Sequence, residues 1–322
     1  MTAPPDWSSC YRDARVCVTG GAGFIGSHLC DALLDAGADV VAIDDLSNGR
    51  RENLAHVADR VELVEASILD ETALDAAVDG AAYVFHQAAL GSVPRSLREP
   101  LLYQQVNATG TTRVLEASRR RGVRRVIYAA SSSAYGDSAE LPLEESMSAR
   151  PMSPYAAAKL AGESMARAYA HCFDVSTVSL RYFNIFGPRQ RPDSQYAAVI
   201  PRFIDLIRRG ESPVIFGDGS QTRDFTYVAN AVRANLLAGS CAHPLRGEVF
   251  NIACGRSYSL RQLVETLAGI MGVAIAPTFA PARTGEVERS WADVSRAAST
   301  IGYVPLVAFE DGLRRTVDAF GE

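Results

Sequence analysis

The chain has 322 residues, 48% of them hydrophobic and 21% charged, with a formal net charge of −5. That balance is ordinary for a globular protein, and its acidic sign argues against a general nucleic-acid or anionic-membrane binder. The length exceeds what one compact core usually holds, so a large domain with a smaller appended one is expected.

The opening segment Met1-Thr2-Ala3-Pro4-Pro5-Asp6 has no basic stretch followed by an apolar run, so no signal peptide is expected. No apolar stretch approaches membrane-spanning length, and a cytoplasmic protein follows by default. Trp7 and Tyr11 are expected to pack back on the body. Strand signals then recur at 16–19, 40–43, 61–64, 83–85, 126–129 and 175–180, continuous rather than alternating in apolar character. Helix-period segments lie between them: Ile25, Leu29, Leu33 and Ala36 share one face, and Val106, Gly110, Val114 and Ala117 another. Such strands separated by helices predict a parallel sheet covered on both sides, a doubly wound α/β fold. Arg119, Arg120, Arg121, Arg124 and Arg125 flank a helix end and are read as solvated charges complementing its dipole.

After about Arg181 the texture changes to Pro-, Gly- and Gln-rich stretches, with helical segments at 201–209, 228–238 and 260–271. We divide the chain into 1–183 and a smaller 184–322, some of whose segments return to the sheet. Cys10, Cys17, Cys30, Cys172, Cys241 and Cys254 form no Cys-x-x-Cys pair. Buried reduced thiols are expected, and neither zinc nor a disulfide framework.

The first strand runs into Gly20-Gly21-Ala22-Gly23-Phe24-Ile25-Gly26, which opens a helix. Glycines there permit a tight turn, close approach of backbone to a pyrophosphate and close helix-on-strand packing. Asp44 ends the next strand eighteen residues past Gly26, where a carboxylate accepts both hydroxyls of an adenosine ribose and repels a 2′-phosphate. The expected cofactor is NAD; Arg50 and Arg51 keep NADP as the minority reading.

Lys159 is the only lysine of the chain and stands four residues after Tyr155. One helical turn apart, an ammonium can stabilise a phenolate and pull a tyrosine pKa from about 10 toward neutrality. That is what a general base requires. Ser131, Ser132 and Ser133 follow the strand at 126–129, where hydroxyls face the ligand crevice of a parallel sheet.

With these motifs the chain resembles the extended short-chain dehydrogenase/reductases, and within them the UDP-sugar 4-epimerases that accept N-acetylhexosamines. The supporting stretches include His86-Gln87-Ala88-Ala89, Asn107-Ala108-Thr109-Gly110-Thr111, Arg181-Tyr182-Phe183-Asn184 with Gly187, and Arg223-Asp224-Phe225. The resemblance implies a Rossmann-like NAD domain and a nucleotide-sugar domain. Tyr155 would remove the sugar 4-hydroxyl proton, Lys159 would tune it and hold the nicotinamide ribose, and Ser131 would bond the reacting oxygen. Cofactor contacts would fall on Gly20, Gly23, Phe24, Ile25, Gly26, Asp44 and Asn48. They would continue through Ser67, Ile68, Gln87, Ala88, Ala89 and Asn107 to Tyr155 and Lys159.

For substrate, the resemblance implicates Ser92, Arg95, Ser132, Ser133, Tyr155 and Val199. It adds Asn184, Arg223 and Arg283 at the diphosphate and Glu286 at the uridine ribose. Ser290 matches a place where epimerases restricted to plain hexoses carry a bulky tyrosine, so a 2-acetamido group should fit. Ser67 replaces an aspartate usual for the adenine contact, which implies some loss of cofactor affinity. His86 and Asn107 are read as structural organisers. By the same resemblance, the helices at 107–121 and 153–171 would pair with their symmetry mates in a homodimer.

A 4,6-dehydratase would place an acid pair in the serine loop, and here no acid precedes Asp137. A uronic-acid epimerase or decarboxylase is harder to set aside, since Arg95 and Arg181 could reach a carboxylate. An NAD-sensing binding protein would have no need of a Tyr–Lys pair.

Overall fold

A computed structural model of the chain describes residues 7–191, 198–281 and 288–321. Seven strands form the central sheet: β1 (Arg15–Thr19), β2 (Asp39–Ile43), β3 (Val61–Val64), β4 (Tyr83–His86), β5 (Arg125–Ser131), β6 (Thr177–Tyr182) and β7 (Arg246–Ile252). Their spatial order is β7-β6-β5-β4-β1-β2-β3, and every ladder is parallel. Burial on both faces accounts for the continuous apolar runs; β5 is buried along its whole length. The order reverses between β1 and β4, and the crevice at their carboxyl ends is where such a sheet takes a ligand.

Helices α1 (Phe24–Asp35) and α5 (Val228–Ser240) pack on one face of the sheet. Helices α2 (Glu71–Val78), α3 (Gly110–Arg120) and α4 (Pro154–Phe173) pack on the other. The start of α4 is fixed locally: Ser153 Oγ accepts the Ala156 N–H at 3.1 Å, and Pro154 stands in the first turn, where its missing N–H has no partner to lose. Asp174, left-handed at φ 56°, ends the helix.

The N-terminal arm does pack back. Tyr11 is fully buried, donates to Leu236 O at 2.6 Å and sets its ring edge against Tyr83. Two expectations need correction. Arg125 is not solvated: it is 6% exposed and donates to the carbonyls of Ala238, Gly239, Cys241 and His243 at the end of α5. Arg120 and Arg121 stay exposed as expected, bridging to Glu71, Asp75 and Asp79 on and beside α2. Among the cysteines, Cys17 and Cys30 are buried, whereas Cys10 and Cys172 are exposed.

Beyond β6 the chain builds small sheets: Ile185–Phe186 with Thr226–Tyr227, and Thr222–Arg223 between Tyr258–Ser259 and Arg289–Ser290. Asp224, wholly buried, ties these pieces together. Its Oδ1 accepts the Cys254 N–H at 2.8 Å and its Oδ2 accepts those of Gly255 at 3.0 Å and Ala292 at 3.4 Å. Burial raises its pKa to about 7 against the pull of those N–H groups.

A folded-state pKa above the unfolded one means stability that is present at low pH and lost as pH rises toward 7. Asp224→Asn turns an amide NH₂ toward backbone donors, and about 2 kcal/mol of stability should go with it. In urea unfolding the gap from wild type should narrow as pH rises from about 5 to about 7. A variant as stable as wild type throughout would contradict this account.

Candidate active site

Gly20 leaves β1 with φ 70°, and a Cβ there would stand 2.7 Å from Ala88 N. A Cβ on Gly26 would stand 2.0 Å from Gly20 O. The glycines thus let β1, the start of α1 and the exit of β4 close on one another, leaving the α1 N-terminus at a cavity of about 900 Å³. Phe24, Ile25, Asp44, Asn48, Ser67, Ile68, Gln87, Ala88 and Ala89 line that cavity with Gly20, Gly23 and Gly26. Its other end is lined by Ser92, Arg95, Ser131, Ser132, Ser133, Tyr155, Lys159 and Asn184. One continuous cavity brings the two expected halves together.

Asp44 is 7% exposed, and its pKa is raised by burial. Its carboxylate accepts the N–H groups of Ala22 at 3.0 Å and Leu46 at 2.9 Å, so it also braces the glycine loop. Each oxygen keeps a further lone pair for a diol. Ser67 Oγ accepts the Leu69 N–H at 3.2 Å. Cradle, helix N-terminus and carboxylate together fit an adenine dinucleotide.

Asn107 is an organiser, as expected. It lies in a π-helical turn, Gln104–Thr109, and is not among the cavity-lining residues. Its amide accepts the Leu90 N–H at 2.8 Å and donates to Leu90 O at 3.0 Å, pinning the loop after β4. His86 is structural as expected. It bonds Thr19 Oγ1 at 2.7 Å and Thr111 Oγ1 at 2.9 Å, and burial lowers its pKa to about 3, so the ring stays neutral.

Lys159, 4% exposed, donates to Ala129 O at 2.7 Å and lies 4.9 Å over the Tyr128 ring. Burial lowers its pKa to about 7. Burial also raises the pKa of the Tyr155 phenol, and the Ser131 hydroxyl acts in the opposite direction. The Ser131 hydroxyl thus favours the phenolate against the burial that opposes it. Ser131 Oγ bonds Ser133 Oγ at 2.8 Å. A ring missed in the sequence, Tyr103, sets its edge on Tyr155 at 6.4 Å and accepts the Ser92 N–H at 3.2 Å. Tyr182 was also missed, although it lies inside a recognised stretch. Its hydroxyl donates to Gln87 Oε1 at 3.1 Å and accepts from Asn235 Nδ2 at 2.7 Å.

Arg181 cannot reach a substrate carboxylate. It is 4% exposed, forked onto Glu163 at 2.9 and 2.7 Å, and stacked over Tyr135. Arg95 does line the cavity, with Glu99 2.9 Å away. Arg223 and Ser290 are register partners in the small sheet, and neither lines the main cavity. Val199 begins the helix Val199–Arg208, and its neighbour Ala198 forms the wall. Arg283 and Glu286 lie outside the described residues. Among the described residues no helix is long and apolar enough to cross a membrane.

Residues 16–253 match the model of the NAD dependent epimerase/dehydratase family. The chain belongs to this family. Among curated members, a UDP-glucose 4-epimerase of Mycolicibacterium smegmatis is 41% identical over 310 residues, 95% of this chain and 98% of the relative. A solved UDP-N-acetylglucosamine 4-epimerase from Methanobrevibacter ruminantium, in complex with UDP-N-acetylmuramic acid, superposes with a TM-score of 0.92 at 40% identity. It covers 96% of this chain and 98% of that one. A UDP-glucuronic acid 4-epimerase from Bacillus cereus, solved with UDP-glucuronic acid and NAD, gives a TM-score of 0.88 at 33% identity, covering 95% and 99%. The family's dependence on NAD agrees with the cradle and the Asp44 carboxylate already described.

Proposed function

We propose that the chain is a UDP-sugar 4-epimerase interconverting UDP-GlcNAc and UDP-GalNAc, and with them UDP-glucose and UDP-galactose. The observation that carries this reading is the Ser131–Tyr155 pair set in the same cavity as the dinucleotide cradle. NAD, when bound, accepts the sugar's C4 hydride and returns it. Tyr155 takes the proton from O4 while Ser131 holds that oxygen; after the 4-keto ring has turned, Tyr155 gives the proton back. Lys159, one turn along α4, would hold the nicotinamide ribose and lower the pKa of Tyr155. Ser132 and Ser133 would face the sugar. Asn184, Arg223 and Arg283 would take the diphosphate and Glu286 the uridine ribose.

Elimination of water at C5 and C6 lacks its acid, because Ser132, Ser133 and Ala134 occupy the loop. The uronate reading keeps Arg95 alone, since Arg181 is committed to Glu163. Leu97, 64% exposed, and Leu101, 84% exposed, support a homodimer built beside α3 and α4. Sedimentation as a monomer at assay concentration would contradict that.

Ser290→Tyr tests the acetamido pocket. It should lower kcat/KM for UDP-GlcNAc at least about tenfold more than for UDP-glucose; equal losses would remove the gatekeeping role. The substrate is tested by incubation with UDP-GlcNAc, UDP-glucose and UDP-glucuronic acid separately, following products by NMR. The galacto epimer forming fastest from UDP-GlcNAc is expected. Epimerisation confined to UDP-glucuronic acid would overturn the substrate, and a 4-keto-6-deoxy product the reaction.

A further inference from the structure

Residues 187–191 cross the outer side of α1. His28 Nε2 meets Pro188 O at 3.0 Å, one turn from the helix start. Arg189 Nη2 pairs with Asp31 Oδ2 at 2.8 Å, and His56 Nε2 meets Asp31 Oδ1 at 2.9 Å. The Arg189 backbone is left-handed, at φ 65°, a conformation that a non-glycine residue keeps only where its surroundings hold it.

This anchoring satisfies one terminal nitrogen. The other, Nη1, is buried without a hydrogen-bond partner among the described residues. Arg189 also lines the cavity that holds the glycine loop and the first turn of α1. Asp31 lies seven residues beyond Phe24, about 10 Å along the axis, and its side chain leans back toward the helix start. At the N-terminus of α1, backbone N–H groups and the helix dipole favour an anion. Arg189 borders that cavity with one guanidinium nitrogen still lacking an acceptor among the described residues, and guanidinium pairs well with phosphate oxygens.

We propose that Arg189 binds the diphosphate of the dinucleotide, making residues 187–191 a strap that retains the cofactor. The proposal rests on the epimerase reading, in which net redox is zero and the dinucleotide must stay through both halves of turnover. Asp31 is then a positioning residue: it turns one edge of the guanidinium away and leaves the other for the phosphate. A different account would have Arg189 do no more than pin the loop to α1.

The two accounts part in cofactor exchange. Full-length protein loaded with labelled NAD is chased with unlabelled NAD, ADP or adenosine. Arg189→Gln should exchange NAD about tenfold faster and bind ADP about tenfold more weakly, with adenosine unchanged. Asp31→Asn, which keeps the guanidinium, should have a smaller effect on both. Exchange at the wild-type rate would overturn the proposal, as would an equal loss for adenosine, which carries no phosphate. If Arg189→Gln does not fold, Arg189→Lys takes its place: a smaller but clear acceleration supports the contact, and wild-type exchange overturns it. Because exchange is read without a sugar, failure of wild type to epimerise would defeat the function while leaving this measurement decisive.

Discussion

Tyr155→Phe is expected to lower turnover of every UDP-sugar substrate by about a thousandfold while NAD remains bound. Tyr155 shares the cavity with Ser131 and Lys159, and Phe preserves its ring, its contact with Tyr103 and its place on α4. Only the proton acceptor is lost. Product NMR over long incubation measures the residual rate, and the absorbance of bound dinucleotide reports occupancy. Epimerisation within about tenfold of wild type would remove Tyr155 from the role of base. Loss of NAD with the activity would make the residue a binding group instead.

Gly26→Ala should weaken NAD binding by about a hundredfold, the loss of two charge-assisted N–H contacts of about 1.5 kcal/mol each. Its added Cβ would stand 2.0 Å from Gly20 O and 2.9 Å from Gly21 Cα, so the loop or the start of α1 must move. Backbone, not a flexible side chain, is in the way. Gly269 provides the control: it lies in the helix Leu260–Met271 with nothing within 4 Å of an added Cβ. Ala there should leave binding unchanged and stabilise the helix by about 0.5–1 kcal/mol. Titration with NAD and thermal unfolding of both variants check the pair, and unaltered affinity in Gly26→Ala would contradict the cradle.

Local pattern carried much of this molecule. Six strands of the sheet were legible because parallel strands buried on both faces leave unbroken apolar runs. The glycine loop and the Tyr155–Lys159 spacing were legible because each is a short-range geometric demand. What escaped depends on partners distant in sequence. β7 holds Glu248 and Asn251, which break the apolar run; Asn251 is nonetheless buried, accepting from Tyr135 and donating to Leu143 O. Arg125 and Arg181 look like surface charges until α5 and Glu163 arrive to receive them. The π-helical turn at Gln104–Thr109 sets Asn107 on Leu90, a consequence of tertiary packing that spacing does not encode. Arg189 has the same character: nothing in its neighbours names Asp31.

The central claim is transient oxidation at C4 within one active site. UDP-GlcNAc carrying deuterium at C4, incubated in ordinary water, tests it directly. The account expects the epimer with deuterium still at C4, because the hydride leaves and returns without meeting solvent. Epimer that has exchanged its deuterium for solvent hydrogen would show carbon-acid chemistry instead, and no epimer from this or any other UDP-sugar would contradict the assignment.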